Sequence, residues 1–177
     1  MNFLYHGSWL GGLRFLLPQK RNVRSERDPP RIYAAPTKVV AAAFMIVELN
    51  DSWSAHGSYD GGKTWHLVVA DQARFCHLEA FGGSIYTVPT TGFQYDHVGL
   101  GRCEWYSRYP TRVIAEESCD SVLLAMLMHG LRVYFCDADA FAAFKSLSHK
   151  CRAALLDRST CQLDGTYRFP TREVRPL

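Results

Sequence analysis

The sequence predicts an α+β fold in which strands outnumber helices, and three observations predict it. Hydrophobic residues make up 47% of the chain and charged residues 21%, a balance typical of globular rather than disordered chains. Two apolar runs, at residues 52–59 and 63–70, flank Asp60-Gly61-Gly62 and predict a β-hairpin. Apolar residues at helical spacing predict helices that follow Pro36-Thr37 and that cover residues 120–129 and 137–156. Together these segments indicate a mixed fold of short strands and a few helices.

The predicted elements fill residues 1–157, which we expect to form one domain, and residues 158–177 are expected to be a loosely held C-terminal tail. Strands are predicted at residues 2–5, 31–34, 52–59, 63–70, 74–79, 84–88, 103–109, 112–115 and 131–136. Residues 18–31 contain several arginines and no apolar period, so we predict an exposed loop that is either functional or disordered. Residues 92–101 also have the composition of a loop.

The charge composition restricts the classes of partner. A net charge of +3 is too small for a purely electrostatic nucleic-acid binder. The basic residues comprise 15 arginines and 5 lysines, and arginine favours bidentate contact with phosphates and carboxylates. The bias indicates an anionic ligand or partner, although a high-GC genome produces the same bias.

The cysteines and the N-terminal segment indicate a protein of the cytoplasm without a metal. The six cysteines are spaced 27, 16, 17, 15 and 10 residues apart, so no pair has the spacing of a structural zinc site. A chain of 177 residues does not need disulfides for stability, and we expect free thiols. The apolar N-terminus is interrupted by His6, three glycines and Arg14, and so resembles neither a signal peptide nor a membrane span.

Three short segments carry the candidate functional residues. His6 follows a predicted strand and precedes Gly7 and Ser8, where a glycine lets a backbone approach a flat ligand. Tyr33, two residues after Arg31, is predicted to project from a strand end just before the first helix. Glu104 is a single acidic residue in an aromatic strand. Taken one at a time, these residues also fit a satisfied histidine beside a turn, a core aromatic and an outward-facing glutamate.

The order of these segments resembles the ADP-ribosyltransferase superfamily. The runs Leu4-Tyr5-His6-Gly7-Ser8, Ile32-Tyr33-Ala34-Ala35 and Glu104-Trp105-Tyr106-Ser107 are similar to the His, Tyr and Glu signature of its diphtheria-toxin-like branch. The resemblance extends over residues 3–136. The run that begins at Glu104 and continues to Pro110 and Val113 is similar to the closing strands of small bacterial and phage members of the superfamily. The resemblance implies mainly antiparallel β-sheets around an NAD cleft, with a few flanking helices. Glu79, Glu116 and Glu117 are rival candidates for the final acidic position.

The resemblance also implies a role for each residue. His6 would hydrogen-bond the adenosine ribose of NAD, the backbone of Gly7 would pair with the nicotinamide carboxamide, and Tyr33 would stack on the nicotinamide ring. Glu104 would stabilise the positive charge that develops as the glycosidic bond opens. Ser8 and Arg31 join the NAD-binding set, with Arg31 directed at the pyrophosphate or at an acidic target.

The function implied is NAD-dependent mono-ADP-ribosylation of a macromolecule, which is either protein or nucleic acid, by a toxin, a phage effector or an inhibitor of a defence system. Two alternatives keep the fold: a protein that hydrolyses NAD or is related to RNA 2′-phosphotransferases, and a binding protein without catalysis. The pairing of Tyr33 with Glu104 argues against a phosphotransferase, since those enzymes favour His and Arg at their core positions.

Overall fold

The computed structural model describes residues 2–20, 29–46, 52–58, 64–96 and 103–170 of the chain. Within these ranges it is a mixed α+β structure with several antiparallel sheets, so the predicted fold class is confirmed at this level. The strands are β1 Phe3–Ser8, β2 Phe15–Leu16, β3 Ile32–Ala34, β4 Ser54–Gly57, β5 Trp65–Val69, β6 Gly83–Pro89, β7 Gln94–Tyr95, β8 Trp105–Ser107, β9 Thr111–Arg112, β10 Ala115–Cys119, β11 Leu131–Phe135, β12 Thr160–Cys161 and β13 Tyr167–Arg168. The helices are α1 Lys38–Ala43, α2 Gln72–Glu79, α3 Val122–Met128, α4 Ala138–Ser146 and α5 His149–Asp157.

The elements separate into two compact units. The first comprises the described parts of residues 1–47 and 82–120, and the second the described parts of residues 48–81 and 121–177. The first unit contains an antiparallel sheet in the order β1-β6-β10, a second in the order β3-β8-β7, the ribbon β2-β9 and helix α1. The second unit contains the sheet β12-β13-β11-β5-β4 and helices α2 to α5.

The first unit is organised by the alternation of side chains along β1 and β6. On one face, Leu4 and Val88 lie opposite each other and enter a core with Leu16, Ile32 and the ring of Tyr86. The other face packs against α1, whose Val40 and three alanines are buried. This packing is close because Gly7 has no side chain: a Cβ there would lie 1.9 Å from the carbonyl oxygen of Ala41.

The second unit is built around β5 and β11, which run parallel at the centre of its sheet. All five residues of β5 are buried, and the strand has a neighbouring strand on each side. An aromatic and leucine core lies beside it, formed by Val68, Tyr134, Phe141, Phe144, Leu155 and Leu156. Serine and aspartate side chains begin each helix by accepting a hydrogen bond from a backbone N–H three residues on: Asp71, Ser121, Asp137 and Ser148.

Several predicted elements are confirmed. Residues 52–59 and 63–70 contain β4 and β5, which pair antiparallel as the predicted hairpin requires, although the turn at residues 60–62 lies outside the described residues. The strands predicted at 84–88 and 131–136 are β6 and β11, and the helix predicted at 120–129 is α3.

Three predicted elements are wrong in a way that has a local cause. Residues 74–79 form helix α2 rather than a strand, because Asp71 caps the N–H of Arg74 and starts a helix. The helix predicted at 137–156 is two helices, because Leu147 is extended and Ser148 caps a new start. Strand β1 continues through Ser8, so His6 lies within the strand and not at its end.

The C-terminal segment differs from the expected loose tail over its described part. Strand β13 runs parallel to β11 and antiparallel to β12, so residues 160–168 extend the sheet of the second unit. The rings of Tyr167 and Phe169 contact Tyr134, at centroid distances of 5.2 and 5.6 Å. None of the described helices combines the length and the apolar character needed to cross a membrane.

Candidate functional site

The polar end of the sheet β1-β6-β10 brings together residues from three distant parts of the sequence. His6 lies opposite Tyr86, and Tyr86 lies opposite Glu116, so the three side chains form a row across one face. Ser8, Ser84 and Ser118 form the next row on the same face, by the same pairing. At one end of this face the side chains are apolar, as at Leu4 and Val88, and at the other end they are the polar side chains of the two rows.

The imidazole of His6 is fixed by the second segment of the predicted signature. Its Nδ1 lies 2.7 Å from the backbone oxygen of Tyr33. Because a carbonyl oxygen only accepts, Nδ1 donates the proton, and Nε2 carries the lone pair in the neutral ring. Two backbone hydrogen bonds between Tyr5 and Ala35 join β1 to the end of β3 beside this contact. The first two segments of the signature are therefore adjacent in the structure.

His6 and Ser8 form part of the lining of a cleft in the first unit. The cleft has a volume of about 120 Å³ and a mixed surface, with a wall of apolar side chains and polar groups from His6, Ser8 and Arg31. Its lining residues are His6, Ser8, Leu10, Leu13, Phe15, Leu16, Leu17, Gln19, Arg31 and Ile32. This volume is below the ~150 Å³ of a cavity that holds a benzene ring, so the cleft encloses only part of a ring-sized group.

Ser8 and Gly7 have structural contacts of their own. The hydroxyl of Ser8 accepts the N–H of Leu10 at 3.1 Å and so begins the segment that forms the apolar wall. Gly7 is buried, and its missing side chain faces the backbone of α1.

Tyr33 and Arg31 lie on the face of the sheet β3-β8-β7 that is turned away from the core. Ile32 and Ala34 are buried in the core, so Tyr33 between them points to the other face, where it lies opposite Tyr106. The guanidinium of Arg31 donates to the hydroxyl of Tyr33 at 3.3 Å and lies 4.5 Å from the ring centre of Tyr106. It also lies 3.9 Å from a carboxylate oxygen of the buried Asp96. Arg31 thus both lines the cleft and connects three side chains of this sheet.

Glu104 lies immediately before β8 and is partly exposed. Its backbone oxygen accepts the N–H of Asp96 at 2.9 Å, which continues the pairing of β7 with β8. Burial raises the pKa of the neighbouring Cys103 thiol, and the negative charge of Glu104 raises it further. Glu104 therefore lies on the sheet that carries Tyr33, whereas His6 lies on the sheet β1-β6-β10.

Glu116 is the carboxylate that shares the row of His6. Its Oε1 accepts the N–H of Gly12 at 2.9 Å and the hydroxyls of Ser84 and Ser118 at 2.7 and 3.1 Å. It also lies 3.1 Å from the Tyr86 hydroxyl, whose single proton is shared between Glu116 and the carbonyl oxygen of Leu10. The hydrogen bonds from Gly12 and Ser84 lower the pKa of this carboxyl, so it is ionised at neutral pH.

The other two rival glutamates are placed differently. Glu117 points to the opposite face of β10, where it forms an ion pair of 2.5 Å with Lys38. Glu79 lies in the second unit and accepts a hydrogen bond from the capping Ser121.

Tyr86 is a site residue that the sequence analysis missed. It is fully buried, yet its hydroxyl contacts the backbone of the segment that lines the cleft. The sequence holds one signal for it, the alternation of polar and apolar residues in Ser84-Ile85-Tyr86, which puts Ser84 and Tyr86 on one face of the predicted strand.

Two predicted loops fall partly outside the described residues. Most of the arginine-rich loop at 18–31 lies there, because residues 21–28 are not described; its two ends are joined by backbone hydrogen bonds between Gln19 and Arg31. The same holds for residues 97–101 of the second loop, whereas Gln94 and Tyr95 of that loop form β7.

Within the described residues, no group of three or more His, Cys, Asp or Glu side chains is arranged to hold a metal ion. Comparison of the chain with protein-family models, with curated proteins and with solved structures finds no match.

Proposed function

We propose that the chain is an NAD-dependent mono-ADP-ribosyltransferase that modifies a macromolecule. The observation that carries the proposal is the hydrogen bond between the His6 imidazole and the Tyr33 carbonyl, because it joins the first two segments of the predicted signature beside a cleft. The proposal also requires the side chains of His6 and Tyr33 to face one cleft, and side chains far apart on opposite faces of the sheet would refute it. His6 shares its face with Leu4, whereas Tyr33 points away from that core, so the hydrogen bond supports the adjacency of the two segments and not the stacking of Tyr33 on the ligand.

The cleft suits one end of NAD. Its apolar wall can cover a flat ring, and the imidazole of His6 offers a hydrogen bond to a ribose hydroxyl. Tyr33 is half-buried, and its hydroxyl contacts Arg31, which lines the same cleft. In this proposal His6, Gly7, Ser8, Tyr33 and Arg31 hold NAD.

The reaction requires a fixed negative charge near the ribose. NAD supplies an ADP-ribosyl group whose bond to nicotinamide opens with positive charge developing on the sugar. A preorganised carboxylate favours that charge more than it favours the ground state. Glu104 is the residue implied by the resemblance. Glu116 is the second candidate, because it is ionised and lies in the same row as His6.

The test uses NAD that carries a label on its adenylate half. The purified protein is incubated with labelled NAD, cell lysate and, in parallel, purified nucleic acid. Transfer of label to a macromolecule supports the proposal, release of free ADP-ribose alone indicates a glycohydrolase, and an absence of turnover refutes catalysis.

Three matched variants then identify the acid. Removal of one preorganised electrostatic contact typically lowers kcat by ~10²–10³. We expect this loss in either Glu104→Gln or Glu116→Gln, with NAD still bound. Glu117→Gln is the control, because Glu117 is adjacent to Glu116 but faces the other side of the sheet. Wild-type turnover in all three variants would remove the carboxylate step from the proposal.

A binding protein without catalysis is the second candidate function. The observation in its favour is a group of exposed apolar side chains next to the cleft: Trp9, Leu10, Phe15 and Leu17, which are 38, 38, 55 and 60% exposed. Exposed apolar groups of this size, close together, are typical of a protein contact surface. Tight binding of a protein partner that persists in Glu104→Gln and Glu116→Gln, together with no turnover of NAD, would favour this function.

A further inference from the structure

The side chain of Tyr86 is fully buried, and its hydroxyl points out of the hydrophobic core toward the backbone of Leu10 and Leu13. Its ring packs with Leu4 and Val88 in the hydrophobic core of the first unit, and its side chain has no exposed surface. Burial raises the pKa of its hydroxyl, which is therefore protonated and able to donate. A buried hydroxyl needs partners, and this one finds them in the backbone of residues 10–13 and in Glu116.

Three backbone groups of the segment 10–13, which we call the wall segment, are bound by Tyr86 and its neighbour in the row. The Tyr86 hydroxyl donates to the carbonyl oxygen of Leu10 at 2.7 Å and accepts the N–H of Leu13 at 3.2 Å. The N–H of Gly12 donates to Glu116 Oε1 at 2.9 Å. The wall segment lies between β1 and β2, so these contacts hold it onto the sheet from the side.

The wall segment needs such contacts because of its composition. Gly11 and Gly12 are adjacent, and Gly12 has a φ of 72°, a conformation that glycine adopts readily. A pair of glycines loses much conformational freedom when it is held in one arrangement. The side chains of Leu10 and Leu13, at the two ends of the segment, line the cleft beside His6.

We propose that Tyr86 is a positioning residue of the cleft: its hydroxyl fixes the wall segment, and the fixed wall is the surface against which the ring of the bound nucleotide packs. This inference rests on the proposed function for the identity of the ligand. It assigns Tyr86 an effect on affinity through Leu10 and Leu13. An effect on the chemical step follows only if Glu116, which the Tyr86 hydroxyl contacts at 3.1 Å, is the catalytic carboxylate.

The test is the variant Tyr86→Phe, which removes one oxygen atom and keeps the ring in the core. The freed groups of Leu10 and Leu13 belong to a partly exposed segment, where water can replace the hydroxyl. The matched control is Tyr134→Phe, since Tyr134 is also fully buried and its hydroxyl bonds His66 in the second unit.

Three measurements separate positioning from general destabilisation. In Tyr86→Phe we expect faster amide hydrogen exchange at Leu13 and a Kd for NAD that is about tenfold weaker, from the loss of the two hydrogen bonds to the wall segment. If Glu104 is the catalytic carboxylate, kcat stays within about twofold of wild type, as uniform binding requires; if Glu116 is, kcat also falls, because the variant removes a contact of Glu116. In Tyr134→Phe we expect wild-type exchange at Leu13 and a wild-type Kd. An unchanged exchange rate at Leu13, or an unchanged Kd despite faster exchange, would overturn the proposal.

The exchange measurement also separates this inference from the proposed function. If the wild-type protein does not bind NAD, the proposed function fails, and the statement about nucleotide affinity fails with it. The exchange at Leu13 needs no ligand, so it decides independently whether Tyr86 fixes the wall segment.

Discussion

Replacing Gly7 by alanine tests the close contact between β1 and α1 on which the geometry of the site depends. The added methyl carbon would lie 1.9 Å from the carbonyl oxygen of Ala41, 2.9 Å from its carbonyl carbon and 3.2 Å from the backbone nitrogen of Met45. Contact between non-bonded heavy atoms is favourable near ~3.5 Å, so the strand and the helix would have to separate by more than ~1 Å. All three atoms belong to the backbone, and no side-chain rotation relieves the clash.

The expected cost is large for a single methyl group. Overpacking of a well-packed interior costs ~1–3 kcal/mol, and a clash with backbone atoms places Gly7→Ala at about 3 kcal/mol. For a chain of this length, that corresponds to a decrease in Tm of roughly 6–12 °C. We would measure it by urea unfolding followed by circular dichroism, with thermal unfolding as the second assay.

Gly11→Ala is the matched control in the same unit. Its methyl carbon would lie 3.6 Å from Glu116 Oε1 and 3.7 Å from the hydroxyl of Ser84, which are ordinary contacts. Since alanine has less freedom than glycine in the unfolded chain, we expect a result between neutral and about 1 kcal/mol of added stability. If Gly7→Ala were within about 0.5 kcal/mol of wild type, the close packing of β1 on α1 would be refuted. If Gly7→Ala keeps wild-type stability but does not bind NAD, the loss of binding indicates the contact between the Gly7 backbone and the nicotinamide carboxamide that the resemblance implies.

Three further predictions concern the carboxylate, a thiol and a helix start. The stability that Glu116 contributes is fully present above the ordinary pKa of a carboxyl group, and it is lost as the pH falls through the lowered pKa of Glu116. The free energies of unfolding of wild type and Glu116→Gln, measured in urea, should therefore differ near neutral pH and converge in acid. Burial raises the pKa of Cys136 to about 12, so an alkylating reagent at pH 8 should modify the exposed Cys161 and spare Cys136 until the protein unfolds, as mass spectrometry will show. Ser148→Ala removes the cap at the N–H of Cys151 and should cost about 1 kcal/mol in urea unfolding.

Much of the secondary structure could be predicted from short-range patterns. The hairpin of β4 and β5 follows from two apolar runs around a turn, and β6, β11 and α3 follow from runs of apolar residues at strand or helix spacing. The error at α2 arose because apolar and aromatic residues at 74–79 favoured a strand, while the aspartate three residues earlier carried the helix signal. A side-chain cap is a single hydrogen bond, yet it fixes where a helix begins.

The candidate site could be predicted only in part. The segments that carry His6 and Tyr33 are adjacent because Tyr5 of β1 pairs with Ala35, the residue after β3. The order of these segments in the sequence does not predict that the Tyr33 side chain points away from the face of His6. The alternation in Ser84-Ile85-Tyr86 puts Ser84 and Tyr86 on one face, but no local pattern predicts that they meet Glu116. The hydrogen bonds of Tyr86 and Glu116 join residues 10–13 to strands that begin some seventy and a hundred residues later, so they exist only after the chain has folded.

The register of β10 on β6 decides which glutamate shares a face with His6. Glu116 and Glu117 are adjacent and chemically identical, and side chains alternate along a strand, so the two necessarily point to opposite faces. A slip of one residue would place Glu117 beside Tyr86 and leave Glu116 next to Lys38. The observed register is supported from both faces at once: Ser84, Tyr86 and Gly12 bind Glu116, and Lys38 of α1 binds Glu117. Exchanging the two carboxylates would break both sets of contacts, and for this reason Glu116→Gln and Glu117→Gln, one residue apart in the chain, should separate cleanly in their effects on the cleft.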